Sequence, residues 1–157
     1  MMKIRLIQTG KTHFSFIKDG FDLYEKKLGH YVNFSYTEIQ VPNKDKHHQP
    51  EAIKKSEALL QLKLLKPTDF LILLDEKGKS FNSIQFANYL EKLSMQTSSM
   101  VFLIGGAFGF DESVYQRANA KIALSDFTFS HQLVRLIFAE QLYRAQTIIK
   151  GEPYHHE

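Results

Sequence analysis

Apolar positions along the chain switch between two periods, and the switches mark out alternating strands and helices. Residues 3–8 hold Ile4, Leu6 and Ile7 in an alternating run and read as a first strand. Residues 14–28 carry Phe14, Ile17, Phe21, Tyr24 and Leu28 at three- and four-residue spacing, the mark of a helix with one apolar face, and Gly29 follows as a stop. Residues 32–41 read as a half-exposed strand. Residues 42–49 are polar and loop-like. Pro50 suits the first turn of a helix that runs to about Leu65 on Ile53, Leu59, Leu60 and Leu64.

The texture then changes. Phe-Leu-Ile-Leu-Leu at 70–74 and Met-Val-Phe-Leu-Ile at 100–104 are short, unbroken apolar runs. Strands covered on both faces read this way, as in a parallel sheet between helices. Between them a helix is expected over 83–93, capped by Asn82. Asp111 suits the cap of a helix over 112–119. Residues 121–124 form a short strand candidate, and residues 131–150 form the longest helix, closed by Gly151. Strand and helix alternate throughout, which predicts an α/β fold: a mainly parallel sheet flanked by helices, in a single domain over 1–157.

Composition narrows the function. The chain has 157 residues and no cysteine, so disulfides and thiolate metal sites are excluded. Neither a signal peptide nor an apolar run of membrane-spanning length is visible, and a cytoplasmic protein with no membrane association is expected. The net charge of +3 is a mild bias toward polyanions. Residues 1–66 hold 12 Lys/Arg against 7 Asp/Glu, and residues 67–157 hold 8 against 10. Solvated helix faces explain this asymmetry; so does a phosphate-contacting first part joined to a small-molecule site in the second.

In open α/β sheets, ligands sit beyond the carboxyl ends of the strands, and three segments fall there. Leu74-Asp75-Glu76-Lys77-Gly78-Lys79 follows the first apolar run, and reads by itself as a charged turn with Gly78 at positive φ. Gly105-Gly106-Ala107-Phe108-Gly109-Phe110 follows the second; it matches neither a Walker loop nor a dinucleotide fingerprint, yet its glycines let backbone approach a ligand. Residues 124–135 lead into the last helix with His131 at its start and Arg135 one turn in, where it could pair with a carboxylate or meet a phosphate. That helix is apolar around most of its circumference, so it is either very central or part of a subunit interface; the interface is the favoured reading. Glu140 and Arg144 have the spacing of an ion pair. Pro153 and Tyr154 stiffen a tail that ends in His155 and His156, whereas His47 and His48 read as surface.

Taken in order, LDEKGK, FLIGGAFGF, LSDFTFSHQLVRLIFAEQLYRA and the closing GEPYH resemble the ribosomal large-subunit methyltransferase H family of the SPOUT superfamily. The opening KIRLIQTGK and YEKKLGHY fit as well. The likeness is nearly end to end, with departures at Ser130, where proline usually precedes the histidine, and at His156, where Arg or Lys is common. The resemblance implies a C-terminal trefoil knot, S-adenosylmethionine as methyl donor, no metal, a homodimer, and N3 of a pseudouridine in 23S rRNA on the assembled ribosome as target. It also implies a donor pocket lined by Leu74, Gly105, Leu124, Ser125, Asp126, Phe127, Thr128 and Phe129. The catalytic candidates are His131 and His155 as bases, Arg135 or Arg144 steadying negative charge, and Tyr154 stacking on the target base. A methyltransferase acting on another RNA site and a non-catalytic ribosome-associated RNA-binding protein are the alternatives.

Overall fold

The strands β1 (Lys3–Thr9), β2 (Asn33–Ile39), β3 (Phe70–Ser80), β4 (Ser99–Ile104) and β5 (Ala120–Ala123) form one parallel sheet in the order β2-β1-β4-β3-β5. They come from a computed structural model that describes residues 1–41 and 49–156. The expected loop over 42–49 and its His47 and His48 therefore lie, but for Gln49, outside the described residues. Helices α1 (Ser15–Leu28), α2 (Pro50–Lys63), α3 (Ser83–Ser94), α4 (Glu112–Arg117) and α5 (Leu133–Lys150) connect or follow the strands. None of these helices is long and apolar enough to cross a membrane.

The two apolar runs behave as their texture demands. Along β3, Leu71 and Leu73 face one side and Ile72 the other; along β4, Val101 and Leu103 oppose Met100, Phe102 and Ile104, all buried. One face packs on α1, α3 and α5 through Phe21, Leu90, Phe138 and Leu142. The other is covered by α2 and α4 through Ala58, Val114 and Phe110, the last in the turn before α4. Each such large side chain contributes roughly 1.5–3 kcal/mol by leaving water. Local signals were reliable at the helix starts: Pro50 opens α2, Asn82 and Gln85 form a reciprocal capping box, and the Asp111 side chain accepts from Ser113 N–H.

The helix α5 packs between α1 and α3 and sets Phe138 against Phe102 of the sheet, ring centroids 4.8 Å apart. Phe138 and Leu142 are buried there, whereas Leu133 is exposed and Val134, Leu136, Ile137, Ile148 and Ile149 are half-buried, so the helix is central and also keeps apolar surface that its own fold does not fully cover. Two readings are corrected. First, α2 buries its leucines unevenly, with Leu60 and Leu64 half-buried against the core and Leu59 turned to solvent. Leu59 is 74% exposed, and the buried positions are Glu57, Ala58 and Gln61.

Second, residues 75–79 are no simple turn. β3 runs on to Ser80, but Ile122 of β5 is paired with both Leu74 and Lys79, so four residues bulge from the ladder. Gly78 does not take a positive φ. It is needed because the bulge folds back on β5: a Cβ there would lie 2.5 Å from Ile122 N and 2.6 Å from the carbonyl carbon of Lys121.

Candidate active site

The bulge matters because of where it points. Beyond the ends of the neighbouring strands β4, β3 and β5 lies an open cavity of about 640 Å³. The β3 bulge supplies Leu74, Asp75, Glu76 and Lys77; the β4–α4 turn supplies Gly105, Gly106 and Phe108; the segment after β5 supplies Leu124, Ser125, Phe127, Thr128, Phe129 and His131. Three segments far apart in sequence thus share one concavity, as the strand-end rule requires. Of the donor-pocket candidates, Asp126 alone does not line it. Phe108, Ser130 and Val134, within the segments the sequence marked but not among its donor-pocket candidates, line it too, as does Lys54, which nothing in the sequence pattern marked. Phe108 and Phe127 are 50% and 80% exposed, apolar faces held at the wall of an otherwise polar rim.

Two interactions fix the wall. Tyr115 Oη donates to Asp75 Oδ2 at 2.5 Å and Lys77 N–H donates to Asp75 Oδ1 at 3.0 Å, so the bulge is tied to α4 and to itself. Burial and that carboxylate push the Tyr115 hydroxyl up to about 12. The glycine turn is shaped from behind. A Cβ on Gly105 would meet the Phe110 ring at 3.0 Å, and one on Gly106 would fall 2.3 Å from Glu57 Oε2. The space these glycines leave on their Cβ side is therefore taken by the protein's own Phe110 and Glu57.

The catalytic candidates are divided among three places. His131 lines the cavity just before α5, and burial, then the nearby charges of Arg135 and His13, lower its pKa. Arg135 does not reach the cavity. Its guanidinium is fully buried and donates to His131 O at 3.1 Å, Thr12 Oγ1 at 2.8 Å and Thr9 O at 3.1 Å, which staples α5 to the loop after β1. Gln132 reinforces the staple by accepting from His13 N–H and donating to Lys11 O.

Tyr154 and His155 belong to a cluster on α5. Arg144 Nη2 donates to Glu140 Oε1 at 2.6 Å, the i,i+4 pair the spacing suggested. Tyr154 Oη donates to the same oxygen at 3.0 Å, and the guanidinium lies 4.8 Å from the Tyr154 ring centroid. Arg144 Nη1 stands 3.0 Å from His155 Nδ1. A guanidinium can only donate, so Nδ1 accepts and the ring proton sits on Nε2. The tail itself is docked, with Tyr31 Oη donating to Glu152 Oε2 at 2.5 Å. His155 lines a second cavity, of about 340 Å³, with Phe81, Ser83, Gln141 and the same Leu124 and Phe129. Residues 124 and 129 thus form a wall common to both cavities.

A parallel α/β sheet with a glycine turn, a charged bulge and a third loop around one strand-end cavity defines a small-ligand-binding α/β protein. Comparison with known proteins gives the class. The family model described as "Predicted SPOUT methyltransferase" matches residues 2–155. Proteins named ribosomal RNA large subunit methyltransferase H from Cytophaga hutchinsonii and Parabacteroides distasonis are 50% and 49% identical, each aligned over 99% of this chain and 100% of the relative. One from Flavobacterium psychrophilum is 45% identical over the same shares. The chain belongs to the SPOUT methyltransferase family, and within it to the ribosomal RNA large subunit methyltransferase H group.

Proposed function

We propose that this protein methylates 23S rRNA at N3 of a pseudouridine, using S-adenosylmethionine, as a cytoplasmic homodimer acting on the assembled ribosome. The carrying observation is that Leu74, Gly105 and residues 124–129, which resemble the family's donor motifs, line one cavity at the strand ends. The names of the relatives supply the rRNA. The residues fit the donor. The volume lies within the roughly 300–1,000 Å³ of small-molecule sites. Leu74, Leu124 and Phe129 offer an apolar slot for adenine, the 105–106 backbone offers polar partners, and Asp75 and Glu76 offer negative charge toward a cation. When bound, this donor supplies an electrophilic methyl group on a positively charged sulfur.

The chain's own residues must then take the N3 proton and hold the pyrimidine. His131 is the base in this reading. It lines the donor cavity, and its lowered pKa keeps it neutral at pH 7, with a lone pair ready to accept; such a base is worth roughly 10²–10⁴-fold. His155, with Arg144 against its Nδ1 and its Nε2 buried, lines the second cavity behind the shared wall of Leu124 and Phe129 and serves in this reading to position that wall. Tyr154, its hydroxyl committed to Glu140, is a positioning residue for the Arg144–His155 pair. The exposed Phe14, Phe16 and Leu133, gathered where His13 N–H meets Gln132, offer apolar surface to a second copy. A C-terminal knot is part of the same reading.

The test is methyl transfer to purified ribosomes and to a naked hairpin, with the product mapped and donor binding followed by calorimetry. His131→Ala is expected to lose at least about 100-fold in rate while retaining donor binding. A wild-type rate for His131→Ala would remove the acid–base role, and one for His155→Ala the positioning role. A methyl group mapped elsewhere would reassign the target, and no heat with millimolar donor would favour a non-catalytic RNA-binding protein.

A further inference from the structure

Glu57 has no place in the chemistry above, yet it is the most unusual side chain near the cavity. It sits on the inner face of α2, and its residue is only 7% exposed. Oε1 is buried and has no hydrogen-bond partner among the described residues. Nothing in the surrounding apolar packing of Ala58, Leu60 and Leu62 requires an acid there. Its carboxyl group fills the space where Gly106 lacks a side chain, with Oε2 2.3 Å and Oε1 2.8 Å from the ideal Cβ position. Gly106 itself lines the donor cavity. The carboxylate therefore stands one glycine backbone away from the cavity, and the missing Cβ is what lets it come so close.

A buried acid with an unpaired oxygen destabilises the free protein and needs a reason. The two ligands of a methyl-transfer cycle differ by one positive charge: the donor is a sulfonium, the product a neutral thioether of nearly the same shape. We propose that Glu57 is a specificity-determining residue that makes the cavity favour the cationic methyl donor over its neutral product. The inference rests on the donor assignment made above. A carboxylate behind a glycine turn attracts a cation through a medium of low polarity, where a charge acts more strongly than in water. It does not touch the ligand, so it has no effect of similar size on an uncharged one.

Burial alone raises the Glu57 carboxyl to about 7, so the attraction strengthens as pH rises through that value. The groups facing it can be named. On its own helix, Lys54 lines the cavity and pairs with Glu51 at 2.8 Å. Gln61, one turn on, donates to Thr9 of β1, and neither titrates. The β4–α4 turn has no ionisable side chain before Asp111, whose pKa is lowered by its bonds to Ser113. On α4, Tyr115 is pushed up to about 12 and bonds Asp75 of the bulge. His131, across the cavity, is lowered. Among the described residues named here, Glu57 is the one whose carboxyl is raised to about 7, and Glu57→Gln decides whether the profile between about pH 6.5 and 8 belongs to it.

The experiment is isothermal calorimetry of the full-length protein with S-adenosylmethionine and, separately, S-adenosylhomocysteine, at pH 6.5 and 8. For the wild type, the donor-to-product affinity ratio should rise about fivefold across that interval, while affinity for the product stays flat. Glu57→Gln should lower the ratio at pH 8 about fivefold and abolish its pH dependence. Glu57→Asp, which keeps the charge, should restore part of both. A Glu57→Gln protein that loses donor and product affinity equally, or a wild-type ratio that does not move with pH, overturns the proposal. The wild-type pH series needs no variant, so a Glu57→Gln chain that fails to fold does not block the test. Failure of the wild type to bind either compound would instead overturn the donor assignment.

Discussion

Arg135 is the residue whose role the structure changes most, and replacing it tests that change. As a catalytic cation it would stand in the cavity; as found, it is fully buried and holds three oxygens from the loop after β1 and the turn before α5. Arg135→Met removes all three bonds at similar length. Thr9 O, which is buried, is left without this donor, at a cost of about 1–3 kcal/mol, and His131 O and Thr12 lose about 1 kcal/mol each. Against this stands the recovered cost of burying a charge that has no carboxylate bonded directly to it, about 1–2 kcal/mol at the low end of the range for such replacements, which leaves a net loss of about 2–3 kcal/mol.

Arg135→Lys should be worse than Arg135→Met. It keeps the buried charge and gives up the planar fork that reaches three acceptors at once. For a chain of this length, 2–3 kcal/mol corresponds to a Tm lowered by about 5–10 °C. Calorimetric melting and urea unfolding check the values and their order. Donor affinity should fall in both variants, since Arg135 Nε holds the carbonyl of cavity-lining His131. A lysine variant as stable as wild type would refute the argument that the fork geometry is what counts. So would a methionine variant of unchanged stability that had lost only methyl transfer, because that pattern belongs to a residue acting on substrate.

Two further outcomes follow from other parts of the sheet. Gly78→Ala places a methyl group 2.5–2.7 Å from backbone atoms of Lys121 and Ile122, which cannot move without parting β3 from β5; a loss of about 1–3 kcal/mol in urea unfolding is expected, with weaker donor binding, and a wild-type midpoint would mean the bulge does not lie against β5. Burial would raise the Asp69 carboxyl, but bonds from Lys66 N–H, Ser99 Oγ and Arg5 outweigh it and hold the group below the usual carboxylate range. Its contribution is therefore present above the unfolded value near pH 4 and lost as pH falls through the folded one, so the stability gap between wild type and Asp69→Asn should be full at neutral pH and close on acidification below about pH 4. A gap that stays constant to pH 2 would contradict this.

The sequence by itself determined the alternation of strands and helices, because period and apolar texture are local consequences of which faces are buried. Phe-Leu-Ile-Leu-Leu and Met-Val-Phe-Leu-Ile became doubly covered central strands, and Pro50, Asn82 and Asp111 opened the helices they were expected to open. It also marked the segments of the cavity, since Leu74 ends the first apolar run, Gly105 and the 124–129 run each follow a strand, and strand ends converge in a parallel sheet. The strand order, the bulge that turns Asp75–Lys77 into a cavity wall, the inward face of α2 and the burial of Arg135 were decided only by tertiary structure. In each case the deciding partner lies far along the chain: Ile122 for the bulge, Gly106 for Glu57, Thr9 for Arg135. A periodicity rule scores a polar residue by its neighbours in sequence. Whether that residue is solvated or buried depends on oxygen and nitrogen atoms that only the fold brings within reach.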